Sequence, residues 1–227
     1  MHRILKAALF DFDGTLAPSL PLWLKAYHIA LARFAIQLTD DEVLARCFFR
    51  DWDVIAADFG TFTGEQLQIE IGHGLQQAFA TAELFPQARA LVELCREHGL
   101  KTALVTSSPR SLIASVAERL DVGHLFDFVI CGDEVANYKP HPEPVLASLT
   151  ALECAARNAV MIGDSHVDIL AGKAAGTHTA LFLPDGESFH DRDKLHATLP
   201  DFVFKAHHEL PAFLGLPALT RTYLKTL

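Results

Sequence analysis

From Pro86 to the late segment DFVFK, helix-like and strand-like stretches take turns, and most of the strand-like ones stop on polar residues. QARALVELCREHG has a helical stripe with a Gly stop, and LKTALVT reads as a strand. PRSLIASVAERLD follows as a helix opened by Pro, then FDFVICG as a weaker strand. PEPVLASLTAL, AVMIGD, DILAGKAAG, HTALFL and DFVFK continue the rhythm. Alternation of this kind is satisfied by a parallel sheet with helices on both faces.

The first strand of that sheet lies far upstream. Residues 4–10, ILKAALF, are short, mostly apolar and closed by turn chemistry. Between them and Pro86 the period changes. Trp23, Tyr27, Ala30, Leu31 and Phe34 recur at helical spacing, as do Leu67, Ile71, Leu75 and Phe79. DDEVLARCFF and DWDVIAADF read as two shorter helices, and this stretch carries no strand signal. Gly72-His73-Gly74 reads as a break in the last helix, with His73 marking it. The fold class expected is therefore α/β: a Rossmann-like parallel sheet core with helices on both faces, formed by residues 1–16 and 81–227. An all-helical unit of residues 17–80 is inserted after strand one.

Composition narrows the function. The chain has 227 residues and a formal net charge of −9, which disfavours nucleic acid as a partner. No apolar run reaches bilayer length, so no membrane partner is expected, and the start shows no secretory pattern. Cys47, Cys95, Cys131 and Cys154 lack metal-site or redox-motif spacing, which fits free thiols in a cytoplasmic location. Oligomeric state is not legible.

In open parallel sheets, ligands gather at the carboxyl ends of the strands. Those ends carry Asp11-Phe12-Asp13-Gly14-Thr15, then Thr106-Ser107-Ser108, and finally Asp164-Ser165-His166-Val167-Asp168. Lys139-Pro140-His141-Pro142 follows the weak strand. Extended alternation puts Asp11 and Asp13 on one side, and Asp164 and Asp168 are four apart where a helix begins. Lys139 precedes Pro, which favours an extended loop. Several acids in one cleft repel one another unless a cation binds. An all-oxygen donor set suits Mg²⁺, while hydroxyls and helix-start N–H groups suit phosphate.

These four clusters, in this order, resemble the haloacid dehalogenase superfamily, and its phosphoglycolate phosphatase-like group in particular. The resemblance rests on DFDGT, the Thr106-Ser107 strand end, Lys139 in KPHP, and GDSHVD followed by AGKAAG. It implies a Mg²⁺-dependent phosphatase acting on a small phosphorylated metabolite, phosphoglycolate leading, with residues 17–80 as a cap that closes over the core. By the same resemblance Asp11 is the nucleophile and Asp13 the general acid/base. Thr106 and the Ser107 backbone clamp phosphate, and Lys139 neutralises charge. Asp11, the Asp13 carbonyl and Asp164 hold the metal, with Gly14, Thr15 and Asp168 in support. Asp13 argues against carbon–halogen cleavage, because an alcohol leaving group needs its proton.

Arg46 and Arg50 are candidate contacts for a substrate carboxylate, with a helix-surface role as the competing reading of each. Arg110 follows the Thr106 cluster and could approach phosphate, but a solvated helix start is the preferred reading. His166 is read as exposed beside the site, and His207 and His208 as surface residues. The rivals are a sugar phosphomutase, a phosphonate-cleaving relative (Lys25 being its cap lysine), and a non-catalytic phosphate-binding module.

Overall fold

A computed structural model of the chain describes residues 4–48, 50–185 and 192–219. Met1–Arg3, the basic start of the supposed non-secretory N-terminus, lie outside the described residues. The chain divides into two compact units, one of residues 1–18 and 83–227, the other of residues 19–82.

The first unit is built on a six-stranded sheet: β1 (Ala7–Phe10), β2 (Lys101–Val105), β3 (Phe128–Ile130), β4 (Ala159–Gly163), β5 (His178–Phe182) and β6 (Phe202–Phe204). The order is β3-β2-β1-β4-β5-β6 and every pair is parallel. The chain thus builds outward from β1 on one side and then returns to lay β4 against its other edge. This reversal opens a crevice at the carboxyl ends of β1 and β4. All four β1 residues are fully buried, as a strand covered on both faces requires. Ala7 and Leu9 share one core cluster with Ala103, Val105 and Met161 and with residues of two helices, Val145 and Leu149 of one and Ala171 and Ala175 of the other. Alternation sends Ala8 and Phe10 to the other face. β1 is shorter than the stretch 4–10 expected, because Ile4 and Lys6 are exposed and pairing begins only where Ala7 meets Lys101 and Ala159.

The helices of this unit are α5 (Ala88–Glu97), α6 (Arg110–Arg119), α7 (Glu143–Ala151), α8 (His166–Ala175), α9 (Arg192–Ala197) and α10 (Leu210–Leu214). Gly172 brings α8 close to the sheet: a Cβ there would lie 2.8 Å from that of Met161 in β4.

The second unit is all helical: α1 (Leu20–Arg33), α2 (Asp40–Cys47), α3 (Trp52–Phe59) and α4 (Gly64–Phe79). Capping boxes start α2 at Thr39 with Glu42 and α4 at Thr63 with Gln66, and Asp51 caps α3. The core is the α1–α4 pair, burying Leu24, Tyr27, Ala30 and Leu31 of α1 and Leu67, Ile71, Leu75 and Phe79 of α4.

The expected break at Gly72-His73-Gly74 is absent, and α4 runs through it. Gly74 is there for close approach: a Cβ would meet the Ala26 carbonyl oxygen at 2.6 Å, whereas one on Gly72 would meet nothing within 4 Å. His73 sits on the exposed surface beside Glu70, 3.4 Å away. The two glycines therefore part under mutation. Gly72→Ala raises stability by about 0.5–1 kcal/mol through helix propensity. Gly74→Ala lowers it by about 1–3 kcal/mol through overpacking. Urea unfolding of the two variants checks both signs.

All four cysteines are free. No helix among the described residues is long and apolar enough to cross a membrane.

Candidate active site

β1 delivers Asp11. Its N–H still follows the ladder, donating to Ile162 O at 2.9 Å, but its side chain already stands in the crevice. The chain then turns back on itself, with Leu16 and Ala17 N–H both donating to Phe12 O. Gly14 makes the turn possible twice over. Its φ is +78°, and a Cβ would lie 2.1 Å from Asp164 Oδ2. Thr15 is buried, and its hydroxyl donates to Asp164 Oδ1 at 3.3 Å. The loop after β1 and the end of β4 are thereby locked together.

Lys139 is the centre of the cluster. Its Nζ donates to Asp11 Oδ1 at 2.8 Å, to Asp168 Oδ1 at 2.6 Å and to the Val105 carbonyl at 2.9 Å. Three acceptors use all three ammonium protons, and the side chain is 3% exposed. The peptide between Lys139 and Pro140 is cis. Asp168 is held from behind, because its Oδ2 accepts from Ser165 N–H at 3.1 Å and Ser165 Oγ at 2.5 Å in the first turn of α8. Gly163 leaves room for it, since a Cβ there would stand 2.3 Å from Asp168 Cβ.

Oxygen atoms of Asp11, Asp164 and Asp168, all buried, lie within 4.8 Å of one another. Burial raises the Asp11 pKa well above the usual carboxylate range. Lys139 opposes that rise, while the charges of Asp168, Asp164 and Asp13 add to it. Burial also works against the Lys139 charge, but Asp11 and Asp168 outweigh it and the ammonium is held above its ordinary pKa. Burial leads the rise at Asp11, and the crowding of several carboxylates around one ammonium adds to it while holding Lys139 charged. The donor set is all oxygen, close and short of positive charge, which fits a hard divalent cation. With Asp168 turned to Lys139 and Ser165, Asp11 and Asp164 are the carboxylates best placed for it.

β2 ends on Thr106, which is buried, with its Oγ1 accepting from Ser108 N–H at 3.0 Å. Ser107 is exposed. Ser108 turns inward and donates its hydroxyl to Asp13 Oδ2 at 2.6 Å. The structure thus gathers Asp11, Asp13, Thr106, Lys139, Asp164 and Asp168 at the strand ends, with Gly14 and Thr15 in the turn. Arg110 is committed elsewhere, to both carboxylate oxygens of Glu134 and to the Val129 carbonyl. In the helical unit Arg46 lies over the Phe59 ring at 3.9 Å, and Arg50 pairs with Asp58 at 2.5 Å.

Sequence reasoning placed Ser108 and Ser165 in the strand-end clusters without giving either a role, and it missed His207. Ser165 carries a legible signal, Ser-x-x-Asp at a helix start, and Ser108 adjoins a candidate pair. His207 corrects the surface expectation: it is 2% exposed, although His208 beside it is exposed. Its ring packs against Phe182, Phe85 and Phe204, an aromatic cluster assembled from distant segments that no local pattern reveals. His166 is likewise half-buried rather than exposed.

Burial pushes the His207 pKa from 6.5 down to about 4, against the opposing hydrogen bond to Thr15. A depressed histidine contributes stability that is present above the unfolded pKa and lost as pH falls toward the folded one. Between pH 7 and pH 4 the wild type should lose roughly 3 kcal/mol more than His207→Leu, read from urea unfolding at each pH.

Residues 8–182 match the family model described as haloacid dehalogenase-like hydrolase. A phosphoglycolate phosphatase of Yersinia pseudotuberculosis is 27% identical over 226 residues, covering 96% of each chain. The pyrophosphatase PpaX of Bacillus pumilus is 28% identical over 212 residues, covering 93% of this chain and 97% of its own. The crystal structure of a predicted phosphoglycolate phosphatase from Haemophilus somnus superposes with a TM-score of 0.80 at 21% identity, covering 94% of this chain and 99% of that one.

Proposed function

The chain belongs to the haloacid dehalogenase-like hydrolase family, as a phosphatase, and on that footing we propose that it hydrolyses phosphomonoesters of a small metabolite through an aspartyl-phosphate on Asp11. The observation that carries this reading is the Lys139 ammonium bonded at once to Asp11 and Asp168, with Asp164 oxygen inside the same 4.8 Å cluster. Such a pocket makes one carboxylate a nucleophile and readies the surroundings for the charge of a phosphoryl group.

In the first step an Asp11 oxygen attacks phosphorus, and the bond from phosphorus to the substrate oxygen breaks as Asp13 gives that oxygen its proton. In the second, Asp13 takes a proton from water, which attacks phosphorus and releases phosphate and free Asp11. Lys139 offsets charge on Asp11 and the phosphoryl oxygens. Thr106 and the Ser107 backbone are assigned to hold those oxygens, while Ser108 fixes the Asp13 carboxylate. Asp11, Asp164 and the Asp13 carbonyl would hold Mg²⁺, which supplies charge neutralisation on the phosphoryl group.

The helical insertion is assigned the role of substrate-selecting cap. Phosphoglycolate is the leading substrate, on the strength of the Yersinia relative, and the Bacillus relative adds pyrophosphate to the compounds worth testing. Arg46 and Arg50 are the cations proposed for a substrate carboxylate, and Arg50 would have to exchange its bond to Asp58. The reading is tested by phosphate release from phosphoglycolate, pyrophosphate, sugar phosphates and p-nitrophenyl phosphate, with Mg²⁺ and with excess chelator. Chelation should slow turnover by at least about 100-fold. Binding of phosphate analogues without phosphate release from any of them would overturn it.

A further inference from the structure

His207 takes no part in the chemistry above, yet it is bonded to the loop that carries it. Its Nε2 lies 2.9 Å from the Thr15 carbonyl oxygen, 192 positions away in sequence. A carbonyl only accepts, so the bond assigns the imidazole proton to Nε2. The Thr15 residue is then gripped on two sides, by His207 at its carbonyl and by Asp164 at its hydroxyl. The next carbonyl, of Leu16, accepts from Phe85 N–H at 2.8 Å, and the Phe85 ring packs against the His207 ring with centroids 5.9 Å apart. An aliphatic side chain would fill this aromatic niche without a buried polar ring, but it would leave the Thr15 carbonyl unpaired in a dry place.

We propose that His207 is a positioning residue for the loop from Asp11 to Ala17: by holding the Thr15 carbonyl it keeps the Thr15 hydroxyl on Asp164 and the Asp13 carboxylate at its working place. The Gly14 turn packs closely on Asp164, and His207 braces the same loop from the C-terminal segment. Burial keeps the ring neutral through the physiological range, so the brace does not switch with pH there. The kinetic part of this inference rests on the phosphatase reading, and the structural part stands without it.

The test compares His207→Leu, which lacks a donor, with His207→Gln, whose amide nitrogen reaches about as far as Nε2. Two quantities are read: kcat and KM on p-nitrophenyl phosphate, and hydrogen exchange of the Leu16 and Ala17 amides. In the Leu variant kcat should fall about tenfold with KM within about twofold. The two amides should exchange about tenfold faster while the β4 amides keep wild-type rates. The Gln variant should restore both to within about twofold of wild type. His207→Asn, too short to reach Thr15, should behave as Leu does and replaces it if the Leu variant fails to fold. Unchanged kcat and unchanged loop exchange in the donor-less variant would overturn the proposal, as would failure of Gln to restore them. A wild type that releases no phosphate defeats the phosphatase reading instead, and the exchange rates alone then decide the brace.

Discussion

Asp11→Asn should lose turnover by at least about 10⁴-fold and yet unfold, in chelator at pH 7, no more easily than the wild type. The first half follows from assigning the phosphorus-attacking oxygen to this carboxylate, since an amide oxygen is a poor nucleophile. The second half follows from the charge balance. Asp11 is buried beside Asp13, Asp164 and Asp168 with one ammonium among them, and its pKa is raised. Asparagine keeps an oxygen to accept from Lys139 and deletes one of the repelling charges. A gain of up to about 2 kcal/mol is expected. The pH dependence has a definite sign. A carboxyl raised in the folded state contributes stability below its unfolded pKa and loses it as pH rises through the folded one. The metal-free wild type should therefore lose Asp11-linked stability upward from about pH 4, and the Asn variant should lack that loss. His207 acts in the opposite direction, so urea unfolding across pH separates the two groups. Equal kcat in the two proteins would remove Asp11 from its assigned role. A large loss of stability would mean that its charge holds the fold.

The sheet was legible because its strands are short apolar runs separated by strongly periodic helices, and because β1 and β4 end abruptly on Asp-rich turns. The members of the site that came easily are those that need a particular element beneath them: Asp11 at a strand end, Asp168 in a helix's first turn, Gly14 in a left-handed turn. What stayed hidden depends on contacts between distant segments. Gly74 looks the same as Gly72 in sequence, and only the Ala26 carbonyl beside it tells them apart. His207 reads as one of two adjacent polar residues until Phe85, Phe182 and Phe204 close around it. Lys139 could be named as a cation for the pocket. That its third proton goes to the Val105 carbonyl at the end of β2 needed the register of the sheet.

That third bond makes Lys139 structural as well as chemical, and its removal should be the most damaging single change in the core. Lys139→Met fills much of the same volume but leaves Asp11 and Asp168 facing each other in a dry pocket, with the Val105 carbonyl unpaired. Breaking a buried pair by removing one partner costs about 3–5 kcal/mol, and turnover should vanish with it. If uncompensated charge is the cause, relief should come from deleting a carboxylate rather than from better packing. Asp11→Asn, neutral or stabilising in the wild-type background, should recover at least about 1 kcal/mol when added to Lys139→Met. The single Met variant should also regain stability as pH falls and its carboxyls protonate. Urea unfolding of the four proteins at pH 7 and pH 5, in chelator, measures this coupling. A Lys139→Met protein within about 0.5 kcal/mol of wild type would mean that water reaches these carboxylates freely, and the pocket could not then activate Asp11 in the way proposed.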